Sequence, residues 1–121
     1  MPYTKVNDEE LFYTEARSPN ARLVMVLVHG AGENHLIWPA SLRRMDGVTI
    51  YALDLPGHGK SGGQGCASIA DYTAVLLGFL EALGVKCAVI AGHSMGGAIA
   101  QQFALSHPTR VMGLILVATG A

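Results

Sequence analysis

Val89-Ile90-Ala91-Gly92-His93-Ser94-Met95-Gly96-Gly97-Ala98 carries an apolar run through a glycine-flanked serine and into helix-forming residues. A serine on a sharp strand-to-helix turn is held in a strained backbone conformation that turns its hydroxyl away from the sheet, where it can meet a substrate as a nucleophile. Side chains at Gly92 or Gly96 would occupy the point where strand and helix approach most closely, so glycine is a steric requirement at both. The flanks agree. Cys87 to Ala91 read as a buried strand, and Ala98, Ile99, Ala100, Phe103, Ala104 and Leu105 give a compact apolar helix that His107-Pro108 closes.

The rest of the chain bounds what such a serine can serve. Its 121 residues suffice for one domain, and a hydrophobic content of 50% is enough to build a core. Charged residues are only 14% and the formal net charge is -1, so there is no basic field for nucleic acid or an anionic membrane surface, and neither is expected as a partner. The apolar runs Leu23 to Val28, Ala74 to Leu80 and Leu114 to Ala118 fall far short of the roughly 20 residues of a membrane span. Met1-Pro2-Tyr3-Thr4-Lys5 carries no signal-peptide pattern, so a cytoplasmic location is expected. Cys66 and Cys87 have neither metal nor redox spacing and read as loop and core thiols. The five histidines and the carboxylates form no ligand spacing; no metal and no cofactor are implied.

Outward from the serine, apolar strands alternate with helices. Leu11 to Thr14 read as a short edge strand after the turn Asn7-Asp8-Glu9, together a peripheral hairpin. Leu23 to Val28 is continuously apolar, the pattern of a strand covered on both faces in a parallel sheet. A short helix over Trp38 to Met45 leads to the strand Val48 to Leu53, and Ser61 to Ser68 is glycine-rich loop. Ile69 to Leu83 is the clearest helix: Ala70, Thr73, Leu77, Leu80 and Leu83 recur at helical spacing, with Ser68 or Asp71 at its start and Gly84 at its end. Val111 to Val117 forms one more strand. This alternation predicts an α/β architecture, a mainly parallel sheet with flanking helices.

His29-Gly30-Ala31-Gly32 after one strand, Asp54-Leu55-Pro56-Gly57-His58-Gly59-Lys60-Ser61 after the next, Gly92 to Gly97 after the third and Leu114-Ile115-Leu116-Val117 after that stand in the order of the α/β-hydrolase fold. The chain resembles the N-terminal part of that family, nearest to its small esterase, lactonase and perhydrolase-like members. The resemblance implies a single domain over 1–121, ending after the strand that follows the nucleophile helix. It also implies Ser94 as a nucleophile that forms an acyl-enzyme with a small-molecule ester or lactone. The oxyanion would be met by the backbone N–H of Met95, at the start of the elbow helix, and by that of Ala31. His35 and Trp38 follow this loop, either lining a substrate pocket or lying respectively in solvent and in the core. His93 is expected to pack or hydrogen-bond beneath the turn, and His29 to fix its loop. His58 and Asp54 match structural turn residues of the family.

A serine hydroxyl needs a histidine to take its proton and a carboxylate to orient that histidine. In the family both follow the nucleophile. After Ser94 the only histidine is His107, at the far end of the helix, and no Asp or Glu follows at all; Thr119, Gly120 and Ala121 supply none. The expectation is therefore a truncated hydrolase domain whose acid- and histidine-bearing C-terminal part is absent. Its activity would be impaired, and the alternative is a non-catalytic fragment or an assembly and binding module. Leu114 to Val117 would then form an open apolar edge that favours a homo-oligomer, or pairing with the absent part.

Overall fold

The computed structural model describes residues 2–119; the readings that touch Met1, Gly120 and Ala121 lie outside the described residues. The strands are β1 (Tyr3–Val6), β2 (Glu9–Ala16), β3 (Leu23–Val28), β4 (Val48–Leu53), β5 (Ala88–His93) and β6 (Val111–Val117). Three helices, α1 (Ala40–Arg43), α2 (Ile69–Ala82) and α3 (Met95–Ser106), lie between them. All six strands join one sheet in the order β1-β2-β4-β3-β5-β6. The pairs from β4 to β6 are parallel, and the N-terminal hairpin adds antiparallel pairing at one side.

The continuous apolar run of β3 is explained by its place between β4 and β5. Successive side chains leave a strand on opposite faces, and here both faces are covered. Val26 and Val28 join the larger core beneath α2 and α3, with Leu76, Phe79, Ile90, Ile99 and Phe103. Leu27 enters a smaller core on the other face with Trp38, Ile50, Ala52 and Ala91.

Several boundaries differ from the sequence reading. Asn7 and Asp8 both take positive φ (51° and 67°), the mirror-image turn that suits a tight hairpin. That turn makes β1 the edge strand and draws β2, eight residues long, inward to pair with β4. The helix expected over Trp38 to Met45 is split into a 3₁₀ turn (His35–Ile37) and the four-residue α1. Pro39 is the cause, because a proline disfavours helical geometry in the residue before it, and Trp38 is extended at ψ 127°. In α2 the Ser68 hydroxyl accepts the Asp71 N–H at 3.1 Å and Gly84 follows the helix at φ 70°, as read. The buried face is Tyr72, Thr73, Val75, Leu76, Phe79 and Leu80, while Ala70 is exposed. Leu105, counted in the apolar face of α3, is 80% exposed.

Among the described residues β6 pairs with β5 alone, and Leu114, Ile115, Leu116 and Val117 are each about two-fifths exposed, with values of 39–43%. Side chains on both of its faces are therefore half open to solvent. No helix among the described residues is long and apolar enough to cross a membrane.

Candidate active site

β5 runs on through His93, and α3 begins at Met95, so Ser94 is the single residue between strand and helix. It sits at φ 56°, ψ −118° and is exposed. A non-glycine residue in this region costs on the order of 1–3 kcal/mol, sustained only where surrounding structure fixes it. The fixing contacts are visible. Ser94 N–H donates to Val117 O at 3.0 Å, and Ser94 O accepts from Gly97 N–H and from Thr119 Oγ1, both at 2.9 Å. A Cβ on Gly92 would collide with the Gly96 carbonyl, and one on Gly96 with the carbonyls of Val28 and His29. Strand, helix and the end of β3 thus meet backbone to backbone.

The loop after β3 lies against this turn. A Cβ on Gly30 would stand 3.1 Å from both His93 O and Ser94 Cβ. Ala31 is exposed beside it. Met95 opens α3, where the first N–H groups have no intrahelical acceptor and the helix dipole favours an anion. Sequence reasoning missed Glu33. Its Oε1 accepts the Gly30 N–H at 2.6 Å and the His93 Nδ1–H at 2.9 Å. The one signal was a lone acid in an otherwise uncharged loop leaving a central strand.

Asp54, at the end of β4, is fully buried. Its Oδ1 accepts from His35 N–H at 2.6 Å and lies 2.9 Å from His35 Nδ1, while Oδ2 accepts from Lys60 N–H at 2.9 Å. His35 is accordingly buried between Asp54 and the Phe12 ring, 5.1 Å away, and does not lie in solvent. Trp38 is buried, as its core reading has it. It belongs to the smaller core and also walls a concavity of about 290 Å³ with Ile37, Pro39, Leu42, His93 and Val117. A second concavity, about 250 Å³, is lined by Cys66 to Ile69, Tyr72 and Met95. Each residue flanking Ser94 therefore faces a hollow.

Residues 24–120 match the profile of the alpha/beta hydrolase fold family. The chain belongs to the α/β-hydrolase family. It is 40% identical over 96 residues to a pimeloyl-[acyl-carrier protein] methyl ester esterase of Edwardsiella ictaluri, covering 78% of this chain and 36% of that protein. It is 41% identical over 103 residues to a 2-hydroxy-6-oxononadienedioate/2-hydroxy-6-oxononatrienedioate hydrolase of Paraburkholderia phymatum, covering 79% and 36%. Among solved structures a bacterial membrane phospholipase A superposes with a TM-score of 0.89 at 31% identity, covering 98% of this chain and 39% of that one. The chain spans about a third of the length of the curated relatives it matches.

The histidines of this α/β-hydrolase chain are each committed elsewhere than to Ser94. His29 Nδ1 donates to Gly30 O at 2.7 Å and its Nε2 accepts the Leu55 N–H at 3.0 Å, so the ring is neutral and ties two loops together. Burial pushes its pKa below the ordinary histidine value. His58 Nδ1 donates to Pro56 O at 3.0 Å, and His107 packs on Phe103 at the far end of α3. His93 does hydrogen-bond, but sideways to Glu33 across the mouth of the loop.

Proposed function

We propose that this chain is the nucleophile-bearing part of a serine hydrolase that acts on small carboxylic esters or lactones. The observation that carries the reading is the positive-φ backbone of Ser94, exposed between β5 and α3 with the loop of Ala31 beside it. Ser94 Oγ attacks the carbonyl carbon as a base takes its proton. The carbonyl oxygen becomes an oxyanion facing the N–H groups of Ala31 and Met95, and collapse expels the protonated alcohol and leaves an acyl-enzyme for water to cleave. The esterase relatives and the family membership support the substrate class. No described histidine is placed to serve as the base. Under this reading the proton acceptor and its carboxylate come from a later segment or a second chain, and residues 1–121 form the N-terminal part of one domain. The unpaired thiols of Cys66 and Cys87 favour a reducing, cytoplasmic setting.

A fluorophosphonate probe tests the nucleophile directly. Without its proton acceptor the chain should be labelled slowly, and Ser94→Ala should abolish the label; labelling that survives the substitution, or none at all in the parent chain even after prolonged exposure, overturns the reading. The commitment of all five histidines elsewhere favours a second reading, an assembly or binding module that keeps the fold without the chemistry, and absence of label would select it. In either case the open β6 edge favours association with a second copy or a complementing chain. A concentration series by light scattering should show a dimer or larger species, and a pure monomer at micromolar concentration would sink that expectation.

A further inference from the structure

We propose that Glu33 is a positioning residue that holds the oxyanion loop against the Ser94 turn, an inference that rests on the serine-hydrolase reading above. One carboxylate oxygen joins the two halves of the site: Oε1 accepts Gly30 N–H from the loop and His93 Nδ1–H from the last residue of β5. Gly30 lies between these anchors, close enough that a Cβ there would stand 2.8 Å from Glu33 Oε1 and 3.1 Å from Ser94 Cβ. Peptide planarity transmits the grip one residue further. The Gly30 carbonyl and the Ala31 N–H share one planar, trans unit and point in opposite directions. That carbonyl is held by His29 Nδ1–H at 2.7 Å and by Glu33 N–H at 3.2 Å. With both the N–H and the C=O of Gly30 fixed, the direction of the Ala31 N–H is fixed as well. The atom bridging loop and strand then adds to the β3–β5 pairing and the Gly96 contact in setting its separation from the Met95 N–H, two residues beyond His93.

His93 and His29 are the titratable groups that face Glu33 from the adjoining strand end and loop. Burial raises the pKa of Glu33, but the hydrogen bonds from His93 and from the Gly30 N–H bring it below the ordinary carboxylate value of 4.5. A depressed carboxylate keeps its bonds above that value and loses them as pH falls through the folded pKa. The clamp is therefore charged throughout neutral pH.

The test uses the ¹⁵N-labelled full chain and its Glu33→Ala, Glu33→Gln and His93→Phe variants. Two quantities are read: the nuclear Overhauser contact between Gly30 Hα and Ser94 Hβ with the Ala31 amide shift, and the second-order rate of fluorophosphonate labelling. Glu33→Ala should lose the contact, move the Ala31 amide and slow labelling at least about tenfold, since a displaced donor forfeits part of what a deleted one does. Glu33→Gln keeps an acceptor oxygen and should stay within about threefold of the parent. His93→Phe removes the strand half of the clamp and should act in the same direction as Glu33→Ala, which keeps the test decisive should that variant not fold. An unchanged contact and amide shift in folded Glu33→Ala or His93→Phe would overturn the clamp. So would their loss without slower labelling. A parent chain that takes no label refutes the serine reading instead, and the magnetic-resonance readout then decides the clamp alone.

Discussion

Gly96→Ala should destabilise the chain by at least about 3 kcal/mol in denaturant unfolding. Helix propensity alone predicts the opposite sign, because alanine improves on glycine inside a helix by about 1 kcal/mol. Sterics decide against it. The new methyl would be driven into the carbonyls of Val28 and His29, which are main-chain atoms of a central strand and its loop and cannot swing aside. Overpacking of a rigid site typically costs 1–3 kcal/mol and more when backbone must move. Gly78→Ala in α2 supplies the contrast. The neighbour there is the tip of Val6, a side chain on the edge strand, and the change should stay within about 1 kcal/mol. A Gly96→Ala chain as stable as its parent would mean that β3, β5 and α3 do not meet backbone to backbone.

Asp54→Ala should cost on the order of 3–5 kcal/mol, the range for removing one partner of a buried charged network. The substitution strands three donors at once: the His35 N–H, the His35 ring and the Lys60 N–H. Each buried donor left without an acceptor costs about 1–3 kcal/mol. Gly59, whose Cβ position is filled by the Asp54 carboxylate, would also lose the wall that holds its turn. Asp54→Asn keeps one acceptor oxygen and should lose less than half as much. A loss below about 1 kcal/mol for the alanine variant would show that water replaces the carboxylate and that the network is dispensable.

The parallel strands were legible because each is a short apolar run bounded by glycine or a polar turn, and because both faces of the central ones are covered. The serine turn was legible for a different reason: glycine at Gly92 and Gly96 records a close approach that no other residue permits. Pairing between distant segments left no such mark. β2 joins β4 across 31 intervening residues, and nothing in Glu9 to Ala16 announces which strand it will border. His35 and Asp54 are 19 residues apart and Glu33 and His93 are 60 apart. Histidine and carboxylate side chains are equally at home in solvent, so only the fold reveals that these four are bonded to one another in pairs. The split of the Trp38 to Met45 helix, by contrast, was written in Pro39.

Ser94 hangs from the last turn of the sheet: its N–H from Val117 O and its carbonyl from Thr119 Oγ1. Val117 ends β6, whose opposite margin is unpaired among the described residues, and Thr119 follows just after it. A chain that hydrogen-bonds along this margin therefore works on the backbone that sets the serine's φ and ψ, and the two events share one free energy. Linkage runs both ways. Whatever pairing at the margin does to the reactivity of Ser94, occupation of Ser94 must do, by the same factor, to the strength of the pairing.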